Sequence, residues 1–113
     1  MLKIIAIVEE FAYSNPKERE EGLKNLTGFA RVIYKCRTTY YYSLPDMNEV
    51  ERYEMVKLVR YIVRNNETLI IYNGNAKDYI KSFFTGKERD DLKFKTVDEF
   101  LKEINDYVKG LRD

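Results

Sequence analysis

The chain of 113 residues is 44% hydrophobic and 35% charged, with a net charge of +1, the make-up of one globular domain large enough to bury its own core. It has no histidine and a single cysteine, Cys36. That excludes Ser-His-Asp and Cys-His nucleophile pairs, a structural zinc site and an internal disulfide, and leaves any acid–base work to Asp, Glu, Lys or Tyr.

The lone cysteine points to a reducing compartment. No export signal is visible, and the longest apolar run, Ile4 to Val8, falls far short of the ~20 residues of a membrane span. The expectation is a cytoplasmic protein with no membrane partner. Lys and Glu are abundant and glutamine is absent, a pattern of heat-adapted proteins, although eight asparagines pull the other way.

In chain order, residues 2–8 (LKIIAIV) are apolar on both faces apart from Lys3, the pattern of a buried parallel strand. Asn15-Pro16-Lys17-Glu18 reads as a helix start, with Asn15 as cap and Pro16 in the first position. Thr27-Gly28 is its expected end. From Ala30 to Leu44 the residues alternate, with Tyr40 and Tyr42 on one side and Arg31, Lys35, Arg37 and Tyr41 on the other. Alternation predicts a strand with one covered face, as at a sheet edge. Fifteen residues at ~3.3 Å each would span roughly 50 Å, so this strand must bend, stop near Arg37 or project into a partner subunit.

Ser43 or Asp46 is the expected cap of the next helix, with Met47, Val50, Met55, Leu58, Val59, Ile62 and Val63 as its buried stripe through about Arg64. Residues 68–72 (TLIIY) form a second doubly apolar strand. Asn73-Gly74-Asn75 then turns into a short helix closed by Gly86, and residues 86–93 suggest a mobile loop. A short alternating strand covers residues 92–95. Thr96-Val97-Asp98-Glu99 is a capping box for a final helix with Val97, Phe100, Leu101, Ile104, Val108 and Leu111 on its core face.

The order βαβαβαβα calls for a mainly parallel four-stranded sheet between two helix layers, a three-layer α/β/α domain spanning residues 1–113. The doubly apolar first and third strands belong in the middle and the alternating ones at the edges. With right-handed crossovers the strand order is 2-1-3-4, similar to flavodoxin-like folds.

Ligands of such sheets bind beyond the carboxyl ends of the strands, where the winding reverses. Glu9-Glu10 and Asn73-Gly74-Asn75 meet there. Glu10 is the candidate acid–base or metal carboxylate; Glu9, Asn73, Gly74 and Asn75 are ligand-binding candidates. Ordinary turn chemistry, with Asn75 as a helix cap, is the structural alternative. IVEE at residues 7–10, with the later strand running into residues 73–75, resembles the layout of Toprim domains over residues 4–84. Those bind magnesium for phosphodiester chemistry. Only IVEE matches: the family's Asp-x-Asp is replaced by Asn73-Gly74-Asn75, and two amides hold a divalent ion much less well than two carboxylates. The resemblance implies at most an inactive relative. Magnesium enters only if the strand ends handle a nucleotide or phosphate, and no other metal or cofactor is assigned.

No acidic residue lies between Gly22 and Pro45, where Lys24, Arg31, Lys35 and Arg37 sum to +4. On the predicted strand Arg31, Lys35 and Arg37 share a face that Tyr41 continues. Cations and rings on one sheet face suit the phosphates and bases of single-stranded nucleic acid. An edge strand rich in tyrosine equally invites pairing with a second copy, and the tyrosines also suit plain packing. The sequence therefore suggests a small intracellular α/β binding module, a homo-oligomer contacting nucleic acid through Arg31, Lys35, Arg37 and Tyr41. A phosphate-handling enzyme at the strand ends and a purely structural assembly partner are the alternatives.

Overall fold

A computed structural model describes residues 1–112. Its central strand, β1 (Leu2–Val8), pairs in parallel with β2 (Thr39–Ser43) on one side and β3 (Glu67–Tyr72) on the other, and β3 pairs in parallel with β4 (Lys93–Thr96). The order is β2-β1-β3-β4, an all-parallel sheet consistent with a flavodoxin-like layout. The register sets Ile5 opposite Tyr40 and Ile70, and Ile7 opposite Tyr42 and Tyr72.

Helices cover both faces. On one, Ile4 and Ile71 pack with Ala30 and Cys36 at the end of α1 (Pro16–Tyr34) and with Phe100 of α5 (Val97–Arg112). On the other, Ile5, Ile7 and Ile70 pack against Met55 and Val59 of α2 (Glu49–Asn65) and Ile80 of α3 (Ala76–Lys81). A one-turn helix, α4 (Gly86–Asp90), lies where the sequence suggests a mobile loop. The edge strand β4 is short and lysine-bearing. Lys93 pairs with Glu67 at 3.6 Å, and Lys95 donates to Glu103 at 2.7 Å and to the Tyr34 hydroxyl at 2.8 Å.

The largest difference from expectation concerns residues 28–38. The first helix does not stop at Thr27-Gly28; it continues to Tyr34, and β2 begins only at Thr39. Leu23, Leu26, Thr27, Ala30 and Ile33 recur at the helical spacing and pack on the sheet, a stripe that competes with the alternation of residues 30–44 and prevails where it packs with Ile71 and Phe100. Thr27 is buried, and its hydroxyl donates to the Leu23 carbonyl one turn back at 2.9 Å. Gly28 sits mid-helix at a cost of about 1 kcal/mol relative to alanine, too little to end it. The helix ends at Lys35, whose φ of 53° and ψ of 41° are left-handed.

Two further details differ. Helix α2 is capped by Asn48 in a reciprocal box with Glu51, while Leu44–Asp46 form a separate turn. On its apolar stripe Val50 is 70% exposed and Leu58 37% exposed, so only Met55, Val56, Val59 and Ile62 of that helix are fully buried. In α5, Leu101 and Leu111 are likewise exposed.

A left-handed conformation costs a non-glycine residue about 1–2 kcal/mol. Lys35→Gly is therefore expected to stabilise the protein by about 1 kcal/mol in urea unfolding. Were Lys35 in a strand, glycine would destabilise by about 0.5–1 kcal/mol, so the sign of the shift decides where α1 ends.

Candidate functional site

At the carboxyl ends of β1 and β3 the structure brings Glu9, Asn73, Gly74 and Asn75 together, and they satisfy one another. The Asn73 side-chain oxygen accepts from the backbone N–H groups of Glu9 at 2.8 Å and Glu10 at 3.0 Å, and its Nδ2 donates to the Glu10 carbonyl at 2.7 Å. The Glu9 carboxylate accepts the Asn75 N–H at 2.6 Å. Asn75 itself makes no side-chain cap to α3. Gly74 has φ +60°, and a Cβ there would lie 2.6 Å from the Glu9 Oε2. The arrangement is a clasp between the loops that follow the two central strands.

Crevices open on either side of the clasp. One, of about 470 Å³, is lined by Glu9, Leu44, Pro45, Arg52, Asn75 and Tyr79. The other, of about 570 Å³, is lined among others by Glu10, Phe11, Tyr72, Gly74 and Asp98. Glu10 is exposed at its rim. Among the described residues no three His, Cys, Asp or Glu side chains converge to hold a metal ion. A magnesium ion at the clasp would have to draw on Glu9, already committed to Asn75, and on an Asn73 oxygen already accepting twice. The residues present do not fit that ion.

The second candidate surface is the outer edge of β2. Arg31, Lys35 and Arg37 do not lie on this strand. Arg31 is in the last turn of α1, Lys35 is that helix's left-handed end, and Arg37 is in the link to β2. All three are exposed, and they reach the amino end of β2 from outside it: Arg31 Nη1 donates to the Thr39 hydroxyl at 2.7 Å. Tyr41 is on the strand, half-buried toward α1, its hydroxyl 3.4 Å from Glu20 Oε1. Tyr40 and Tyr42 face the opposite side and pack with the cluster of Ile5, Ile7 and Met55.

Alongside the carboxyl half of β2, between α1 and α2, runs a groove of about 700 Å³. Leu23, Tyr42, Met47, Val50, Met55 and Leu58 give it an apolar floor, and Glu20, Asp46, Glu51 and Glu54 surround it with Lys17. Val50 and Leu58 line this groove uncovered, which a sequence reading misses because their spacing along α2 equally fits a core position. At the mouth Arg19 grips Asp46 with a two-pronged pair of 2.6 and 2.8 Å, tying α1 to the turn after β2. Hydrogen bonds from Arg19 and then Ser43 lower the Asp46 pKa from 3.8 to about 2.

Gly74→Ala is expected to destabilise by about 2 kcal/mol in urea unfolding, combining a left-handed alanine with displacement of the Glu9 carboxylate from the Asn75 N–H. Because the Asp46 pKa is depressed on folding, its pairing contributes stability fully above pH 3.8 and loses it as the pH falls toward about 2. Asp46→Asn should flatten that part of the acid side of a stability–pH curve and leave its shape near neutrality unchanged.

Set against known proteins, the chain matches no family model, no curated protein and no solved structure.

Proposed function

We propose that this chain is a small non-enzymatic binding module that self-associates along the outer edge of β2 and contacts nucleic acid through the basic turn beside it. One observation carries this reading: the two sheet margins are built differently. A strand at a margin offers a row of unpaired N–H and C=O groups, and proteins blunt such rows with short strands, lysines or inward-pointing charge. β4 has all three devices: it is four residues long, with Lys93 outside and Lys95 turned toward Glu103. β2 (TYYYS) has no charge and no proline, and pairs with β1 alone.

The groove beside β2 supports the same reading, since Val50 and Leu58 lie uncovered where an added strand and its helices would dock. The nucleic-acid part draws on the exposed Arg31, Lys35 and Arg37 and on the nearby Tyr41 ring. Phosphates are better received there than at the clasp. The crevices around the clasp are lined by carboxylates of Glu9, Glu10 and Asp98, with Arg52 as the cation among their lining residues.

Sedimentation velocity across a concentration series tests self-association, with a reversible dimer expected; a monomer at the highest soluble concentration would overturn it. A fluorescent single-stranded oligonucleotide, titrated at several salt concentrations, tests the second part. Replacing Arg31, Lys35 and Arg37 together by alanine should weaken binding and reduce the salt slope by about 2, from roughly 0.7 per phosphate contact. Equal affinity of the two proteins would remove nucleic acid from the proposal.

A further inference from the structure

We infer that the partner on β2 is a second copy of this chain running antiparallel, about a two-fold axis passing close to Tyr41. This rests on the self-association reading and adds the orientation, the pairing register and the charges that select it.

Charge along the β2 edge is sorted by direction. Helices α1 and α2 each carry the chain from the carboxyl end of one parallel strand back to the amino end of the next, so both run against the strands. Their early turns place Glu20, Glu51 and Glu54 around the carboxyl half of β2. The last turn of α1 and the link that follows place Arg31, Lys35 and Arg37 at its amino end. The edge is therefore negative at one end and positive at the other.

Two such edges laid parallel set like charge beside like, which opposes association. Laid antiparallel, each basic end meets the other copy's acidic end. Symmetry selects the same arrangement, because a two-fold axis normal to the sheet joins identical edges antiparallel and closes on itself. Glu51 keeps its cap on the Asn48 N–H, and the ion pairs of Glu20 and Glu54 do not preclude this. Glu20–Lys24 at 3.6 Å and Glu54–Lys57 at 3.4 Å are pairs whose side chains are all more than half exposed, and such pairs hold their members only weakly.

Full overlap of Thr39–Ser43 with its copy sets Thr39 across from the partner's Ser43 and Tyr40 across from the partner's Tyr42. Aromatic residues in such cross-strand positions reinforce one another. The same axis lays α2 beside the partner's α2 in opposite directions, so that the uncovered Val50 and Leu58 of the two copies come together along the groove.

Charge reversal tests the orientation. Glu20→Lys with Glu54→Lys makes both ends positive, and Arg31→Glu with Arg37→Glu makes both ends negative; each double variant should weaken the dimer about tenfold or more by sedimentation velocity. All four substitutions in one chain exchange the ends and should restore a homodimer, a rescue that parallel pairing does not provide. Independently of any effect on folding, Thr39→Cys and Ser43→Cys chains should form an oxidised cross-link when mixed and neither should cross-link to itself. A wild-type dimer indifferent to these reversals, or a Thr39→Cys chain that links to its own copy, would overturn the orientation and leave self-association standing. A monomeric wild type would overturn both.

Discussion

Ile4 and Ile5 on β1, like Ile70 and Ile71 on β3, point to opposite faces of the sheet, and each is at most 1% exposed. Taking a side chain of that size out of water is worth about 1.5–3 kcal/mol, and one layer of helices reaches only half of them. Two layers are required, which is why α1 and α5 close one side while α2 and α3 close the other. Strands covered on both faces and joined by helices run parallel. β2 and β4 are left to form the margins, and the candidate sites lie at the strand ends and along the β2 margin.

The strand ends and the β2 margin handle polar groups in opposite ways. At the clasp, Asn73 uses both ends of its amide, Glu9 takes up the Asn75 N–H, and Gly74 makes room for that carboxylate. These groups find partners inside the molecule and gain rigidity from it. Along β2 the outer backbone row has no such partner among the described residues, and the helices flanking it leave apolar side chains uncovered instead of folding over them. Incomplete satisfaction of this kind, beside a margin that the protein has not blunted, is where association gains most.

The centre of the fold is legible in the sequence because a strand with no polar face has no other place to go. The doubly apolar runs at Ile4–Val8 and Leu69–Ile71 name the inner strands, and the strand order follows from them. The segment from Gly28 to Thr38 is not legible in the same way. Ala30 and Tyr34 fit a period of two and a period of 3.6 alike, Ile33 fits the helical period alone, and the deciding contacts, with Ile71 and Phe100, are far along the chain. The basic residues move with that boundary, from a strand face to a helix end and a link, although they stay near the same corner of the sheet. Val50 and Leu58 show the converse ambiguity: apolar spacing on α2 marks a stripe wider than the sheet beneath it, and only the geometry of β2 determines which part stays uncovered. Asn73 is legible as a turn residue, but its role as a link between two loops depends on the β1–β3 pairing.

The asymmetry of the two margins would also limit how far the proposed assembly proceeds. A sheet able to join at both borders lengthens without end, as fibrils do. In the proposed assembly, the lysines of β4 leave one border unreceptive, so a single union at β2 would use up the welcoming border of each molecule, and growth would stop at the pair.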